Sequence, residues 1–318
     1  MNILITGGAG FIGSNLARQA LEAGHDVSVL DDFSTGLHSN LENLDLRLIE
    51  GSLLEPTLLE RAMSGTDAVV HLAALGSVPR SVQRPLPTHH ANATGTLAVL
   101  DRAVQGGQHV IVASSSSVYG ANRKQPKQEH DWVAPMSPYA VSKLASEHYA
   151  LAFQECYGLP VLPFRFFNVY GGAQRADHAY AAVVPLFIDR LLRGLPLPIN
   201  GDGSQSRDFT YVGSVCRIVL DAIERRVTST SPVNLAFGGS TTILELAQLL
   251  GELAQVEPVL EHRQPRAGDV PASQADDALL RALFPEQEPV ELRAGLEATL
   301  QWFNAELEAE RRVPGQRS

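Results

Sequence analysis

The residues with the most evident capacity for chemistry are a run of hydroxyls, Ser114-Ser115-Ser116-Ser117-Val118-Tyr119-Gly120, and a downstream Tyr139 with Lys143 four positions on. On a helix, residues i and i+4 share a face, so Tyr139 and Lys143 would project together. An ammonium beside a phenol favours phenolate, as does the positive ring of an oxidised nicotinamide, so Tyr139 reads as a proton acceptor near neutral pH. A serine hydroxyl opposite would bridge the substrate oxygen. The Tyr-x-x-x-Lys spacing alone matches many helices, and its weight here comes from what precedes it.

A strand predicted at Asn2–Thr6 runs straight into Gly7-Gly8-Ala9-Gly10-Phe11-Ile12-Gly13, where an amphipathic helix begins. Glycines at these spacings allow a tight turn and let a pyrophosphate rest on backbone N–H groups at a helix N-terminus. The next strand, Asp26–Leu30, ends in Asp31-Asp32. A carboxylate at that tip accepts bonds from both adenosine ribose hydroxyls and repels a 2′-phosphate, so the cofactor expected is NAD rather than NADP. Asp31, directly after the apolar run, is the ribose candidate, with Asp32 left to cap the following turn.

These groups must be held by a regular frame, and the chain alternates short β-rich runs with helical patterns. After Phe11–Ala23 come Leu46–Glu50, Leu58–Met63 and Ala68–Leu72, with further strands at His109–Ala113, Val161–Phe166 and Val233–Ala236. Such alternation specifies a parallel sheet with helices on both faces, a Rossmann-type doubly wound fold. The helix carrying Tyr139 is expected from Ser137 to Tyr157, and another over Pro85–Gln105. Beyond Phe167 the pattern loosens into loops at Gly171–Tyr180 and Ile199–Arg207, with helices at Thr242–Ala254 and Leu292–Asn304. The expected division is an NAD-binding domain over 1–168, with a return segment near 210–238, and a smaller α/β substrate lobe from 169–209 and 239–318. The tail from Glu310 to Ser318 is expected to fray.

Composition narrows the partners. Net charge is −10, with Lys and Arg spread along the chain, which argues against a nucleic-acid partner. An anionic ligand must therefore be held by a few placed groups. Cys156 and Cys216 are the only cysteines, with no Cys-x-x-Cys or Cys/His cluster, so neither a disulfide framework nor a zinc site is expected. No charged leader with a long apolar core precedes the first strand, and no stretch is apolar long enough to span a bilayer. The expectation is a cytoplasmic protein with no membrane and no metal. His71, at the end of a buried strand, reads as a hydrogen-bonded core histidine, and His89 and His90 diverge on a helix. Asn92 reads as a tie between loops.

Taken together, these segments resemble the extended short-chain dehydrogenase/reductase family, in its nucleotide-sugar epimerase and dehydratase branch. The resemblance covers nearly the whole chain. It rests on Gly7–Gly13, His71-Leu72-Ala73-Ala74, Ser115–Gly120, Tyr139/Lys143, Arg165–Gly171, Gly201-Asp202-Gly203 through Phe209, and Arg266–Asp269. It implies Tyr139 as catalytic base, Ser115 as its partner and Lys143 on the nicotinamide ribose. NAD would also meet Gly7, Gly10, Phe11, Ile12, Gly13, Asp31, Asp32, Ser34, Leu53, Leu72, Ala73, Ala74 and Phe166. A UDP-sugar would meet Ser77, Arg80, Ser115, Ser116, Ser117, Asn168, Val183, Asn200, Arg207, Arg266, Asp269 and Ser273, the arginines 207 and 266 on the diphosphate and Asp269 on the uridine ribose. Arginine forks suit that task in an acidic chain. The resemblance also implies a homodimer through two long helices per subunit.

Two departures stand out. Ser52 occupies the place where the family usually has an Asp on the adenine amine, and Gly171-Gly172-Ala173-Gln174 lacks the proline common after Tyr-Gly, which is expected to loosen that loop.

For the reaction, the resembled dehydratases carry an acidic pair before Val-Tyr-Gly and related decarboxylases commonly a glutamate, whereas this chain has Ser116 and Ser117. That favours a UDP-hexose 4-epimerase, with UDP-sugar dehydratase or decarboxylase as the alternative and a non-catalytic NAD sensor as a remote one. Small Ser273 stands at a family size gate, where it leaves space for an acetamido group. UDP-GlcNAc/UDP-GalNAc is thus the leading pair, then uronic acids or UDP-Glc/UDP-Gal. For Arg80 a C6 carboxylate, the diphosphate and a structural partner all remain open.

Overall fold

The computed structural model of the chain describes residues 1–177, 181–265 and 270–312. The chain opens with β1 (Asn2–Thr6), α1 (Phe11–Glu22), β2 (Asp26–Asp31), β3 (Arg47–Glu50), α2 (Pro56–Met63) and β4 (Ala68–His71). Three helical pieces, α3 (Val78–Gln83), α4 (Pro85–His89) and α5 (Gly95–Gly106), lead to β5 (His109–Ser115), and α6 (Pro138–Tyr157) leads to β6 (Val161–Phe166). There follow β7 (Val169–Tyr170), α7 (Val183–Leu192), β8 (Leu197–Asn200), β9 (Ser206–Arg207), β10 (Thr210–Tyr211), α8 (Val212–Glu224) and β11 (Val233–Leu235). The last elements are β12 (Thr241–Thr242), α9 (Ile243–Ala254), β13 (Leu260–Arg263), β14 (Ala272–Ser273), α10 (Ala278–Leu283) and α11 (Leu292–Arg312).

Seven parallel strands form one sheet in the order β3-β2-β1-β4-β5-β6-β11, the expected Rossmann-type doubly wound arrangement. Both faces are buried because successive side chains of a strand point to opposite sides and nearly all are apolar. Thus Ile3, Ile5, Val70 and Ile111 join the core under α1 and α8, while Leu4, Val69, Val110 and Val112 join the core on the other face. Strand order reverses between β1 and β4, so the loops after them diverge and open a crevice at the strand ends, the place where such sheets bind ligands. A separate core of Phe187, Ile188, Leu246, Leu250, Leu296 and Phe303 lies in the smaller C-terminal lobe.

Several local expectations need correction. The helix over Pro85–Gln105 is interrupted by a π-type turn at His90–Thr94. Residues 199–207 are not all loop, since β8 runs through Asn200 and β9 holds Ser206 and Arg207. α11 continues to Arg312, past the point where fraying was expected, because its last turns are rich in the helix formers Glu, Ala and Arg. The 171–174 loop is held at two points. Asn15 Nδ2 donates to Gly172 O at 2.9 Å and Gln174 Nε2 to Val169 O at 3.1 Å.

Candidate active site

The glycine loop is shaped by close approach. Gly7 has φ +72°, its N–H donates to Leu30 O at 2.8 Å, and a Cβ there would lie 2.7 Å from the Ala73 backbone. A Cβ on Gly13 would come within 2.3 Å of Gly7 O, so the turn closes only with glycine. No side chain caps α1 and no acidic residue stands in its first turn, leaving its positive end to an anion. This cradle suits a pyrophosphate.

A cavity of about 660 Å³ extends from this loop over the ends of β2, β3, β4 and β5. All the residues expected to meet NAD line it: Gly7, Gly10, Phe11, Ile12, Gly13, Asp31, Asp32, Ser34, Leu53, Leu72, Ala73, Ala74, Tyr139, Lys143 and Phe166. Asp31 is fixed in place, its carboxylate accepting from Ala9 N and Phe33 N, both at 2.9 Å. Burial pushes its pKa up, against these two bonds. Asp32 accepts from Ser34 N at 2.9 Å, the expected turn cap. Ser52 also lines the cavity, its hydroxyl accepting from Leu54 N at 3.2 Å.

At the other end lie Ser115, Tyr139 and Lys143. Helix α6 starts where it does because Ser137 caps it, accepting from Ala140 N at 3.1 Å, with Pro138 in its first turn. The cap sets Tyr139 near the helix start, facing the end of β5. The Ser115 hydroxyl lowers the pKa of the Tyr139 phenol, but burial is the larger effect and raises it. Lys143 Nζ donates to Ala113 O at 2.8 Å, and burial brings its pKa down to about 8. Without a further positive group, Tyr139 is therefore held as the neutral phenol.

Behind Lys143, His71 is a core histidine as expected. Its ring nitrogens lie 2.7 Å from Thr6 Oγ1 and 3.1 Å from Thr96 Oγ1, and burial lowers its pKa to about 3. Asn92 ties loop to helix, accepting from Leu75 N at 2.8 Å and donating to Ser142 Oγ at 2.9 Å. Among the described residues no group of three or more His, Cys, Asp or Glu could hold a metal, and no helix is long and apolar enough to cross a membrane.

The residues expected to meet a UDP-sugar divide. Ser77 and Arg80 line the cavity with Ser115, and Ser77 caps α3 by accepting from Arg80 N at 3.3 Å. Ser116 and Ser117 sit in a 3₁₀ turn outside the lining, with Ser117 N donating to Ser115 Oγ at 3.2 Å. Asn168, Val183, Asn200, Arg207 and Ser273 also lie outside it. Asn168 Nδ2 donates to Asp208 O at 3.1 Å, and Val183 starts α7. Asn200 ends β8, and Arg207 and Ser273 are register partners across β9 and β14. Arg266 and Asp269 fall outside the described residues.

Gln174 and Arg175 line the cavity without having been expected there, Arg175 in a two-point ion pair with Asp177 at 2.9 Å. Their position just past the Tyr170-Gly171 signature was the available signal. Glu147 was missed too, although it follows Tyr139 and Lys143 at a further i+4 step.

A family model described as the NAD dependent epimerase/dehydratase family matches residues 3–236. The structure superposes on a UDP-N-acetylglucosamine 4-epimerase from Methanobrevibacter ruminantium, in complex with UDP-N-acetylmuramic acid, with a TM-score of 0.91 and 34% identity over 96% of this chain and 98% of that one. It superposes on a UDP-glucose 4-epimerase from Thermotoga maritima, with UDP-glucose, with a TM-score of 0.90 and 36% identity over 96% and 100%. UDP-glucuronic acid decarboxylase 1 of Danio rerio is 34% identical over 96% of this chain and 73% of that protein.

Proposed function

We propose that this chain, which belongs to the NAD-dependent epimerase/dehydratase family, inverts C4 of a UDP-hexose through a transient 4-keto sugar, most readily converting UDP-GlcNAc and UDP-GalNAc. NAD is its cofactor, and the glycine cradle with Asp31 fits that group. When bound, NAD supplies hydride exchange at C4 and a positive ring beside the phenol, the charge that Tyr139 needs to ionise.

The remaining work belongs to the chain. Tyr139 takes the proton of the sugar 4-hydroxyl and later returns it, while Ser115 holds the same oxygen. Lys143, fixed on Ala113 O, orients the cofactor ribose. The diphosphate must be gripped while the hexose turns over and presents its other face, a task we assign to Asn168, Arg207, Arg266 and Asp269, with Ser273 leaving room for an acetamido group.

One observation carries the choice of epimerisation. The acidic residues among the described lining of the cavity are Asp31 and Asp32, both at the end of β2 and neither beside Tyr139. Elimination of water needs an acid and a base at the sugar besides the phenol, and among the described residues the lining at the reactive end offers no carboxylate for either role. Decarboxylation is the second reading, favoured by Arg80 and Arg175 in the lining, which would suit an anionic sugar.

The test is incubation of purified protein with UDP-GlcNAc, UDP-Glc and UDP-GlcA separately, following C4 configuration by NMR and product mass. An epimer of equal mass, lost in Tyr139→Phe, is expected. A lighter product would move the chain to the eliminating enzymes. We also propose a cytoplasmic homodimer built on α4, α5 and α6, where Leu86 and Val141 are 68% and 52% exposed. Light scattering that returned a monomer mass would refute that assembly.

A further inference from the structure

Three side chains of α6, at successive i+4 steps, reach the end of β5. Tyr139 lines the same cavity as Ser115, Lys143 Nζ donates to Ala113 O at 2.8 Å, and Glu147 Oε2 accepts from Ser114 Oγ at 2.8 Å. The third contact has no part in the chemistry above, yet Glu147 is only 1% exposed. Arg165, the register partner of Ser114 on β6 and 2% exposed, grips the same carboxylate. Its Nε donates to Oε2 at 2.9 Å and its Nη2 to Oε1 at 2.6 Å. Arg165 is itself held, with Nη1 donating to Glu129 O at 2.9 Å and its guanidinium 4.7 Å from the centre of the Tyr119 ring. The Tyr119 hydroxyl in turn donates to Asn234 Oδ1 at 2.7 Å, on β11. One carboxylate thus joins α6 to β5 and β6, and through Arg165 to β11.

A buried ion pair adds little net stability compared with apolar side chains of the same volume, because desolvation offsets the attraction. What it does provide is direction. Both carboxylate oxygens are engaged, so the Ser114 side chain has one place to be, and Ser115 follows it in the strand.

We infer that Glu147, clamped by Arg165, is a positioning residue that fixes the end of β5 against α6 and so sets where the Ser115 hydroxyl stands relative to the Tyr139 phenol. The inference rests on the reading of Tyr139 as the group that moves the proton. Besides Asp31 and Asp32 at the end of β2, the charged groups lining the cavity with the phenol are Lys143, Arg80 and Arg175, with neutral His71 behind Lys143. The variants below leave all of these in place.

The readout is the ¹³Cζ resonance of Tyr139 in NAD-loaded protein, assigned by its absence in Tyr139→Phe. Its position at pH 7 reports the bond to the phenol oxygen, and its pH dependence reports ionisation. Ser114→Ala, which keeps the ion pair and the fold, is expected to shift the resonance and move any titration upward by about half a pH unit or more, as loss of a bond to the phenolate requires. Ser114→Thr, which keeps the hydroxyl, should restore both. Glu147→Gln should act in the same direction as Ser114→Ala, and if it fails to fold, Ser114→Ala decides. A resonance and pH dependence unchanged in folded Ser114→Ala would overturn the inference. Turnover of a UDP-sugar does not enter this readout, so a chain inactive on every UDP-hexose would refute the epimerase reading and leave the positioning result standing.

Discussion

The Lys143 ammonium and the Ala113 carbonyl lie 2.8 Å apart, one strand position before the pair of serines that face α6. Burial brings that ammonium down to about 8, so the folded chain holds a cation where water would hold it more readily. In the unfolded chain the group keeps its ordinary value near 10.4. Between these values the unfolded state binds the extra proton, and stability from this residue therefore rises as pH climbs through the window.

Lys143→Met should remove that dependence. Its melting temperature at pH 7 is expected to be no lower than the parent's, and its curve flatter between pH 8 and 10, while turnover falls by about two orders of magnitude or more. Thermal scans paired with the C4 assay check it. A variant that retained turnover would contradict the role given to the lysine.

Gly13→Ala places a methyl 2.3 Å from Gly7 O, at the tightest point of the cradle. The loop must open to admit it, so NAD affinity should fall by at least about tenfold by calorimetry, in keeping with the loss of two or more backbone bonds to the pyrophosphate. Unchanged affinity would mean that the pyrophosphate lies elsewhere.

His71 is held neutral with a pKa near 3, against an ordinary value of 6.5. The unfolded chain takes up a proton that the folded one refuses, so stability falls as pH drops from 6.5 toward 3. His109, lowered to about 4, adds to the same trend. His71→Gln, whose amide can still meet both threonines, should lose less stability than the parent between pH 7 and 4 in urea titrations. Parallel curves would show that another group governs the acid limb.

Ser273→Tyr fills the position paired with Arg207 across β9 and β14. If this strand borders the sugar, the ratio of kcat/KM for UDP-GlcNAc to that for UDP-Glc should drop by about tenfold or more, the size expected when a pocket loses room for a substituent. An unchanged ratio would remove Ser273 from the specificity question.

The sheet and its cofactor end were legible in the sequence because their signals are local. Residues 3–5 and 161–164 are continuous apolar runs, and the glycines between 7 and 13 mark a turn by their own conformational freedom. Asp31 declares itself by ending a strand. The spacing of Tyr139 and Lys143 likewise guarantees a shared helix face wherever the helix lies. The later lobe was harder, since β9, β12 and β14 hold two residues each and such runs show no period.

What the tertiary structure alone decided is which groups these side chains meet. Sequence placed Lys143 on the helix face of Tyr139, but only the packing of α6 on β5 gives its ammonium the Ala113 carbonyl and brings Ser115 into the same cavity. The same packing brings Glu147 to Ser114 and Arg165, and the fold of residues 171–175 carries Gln174 and Arg175 to the cavity. Local spacing fixes the face on which a residue stands, whereas its partner and its ionisation depend on burial and on chain segments tens of residues away, which no local pattern encodes.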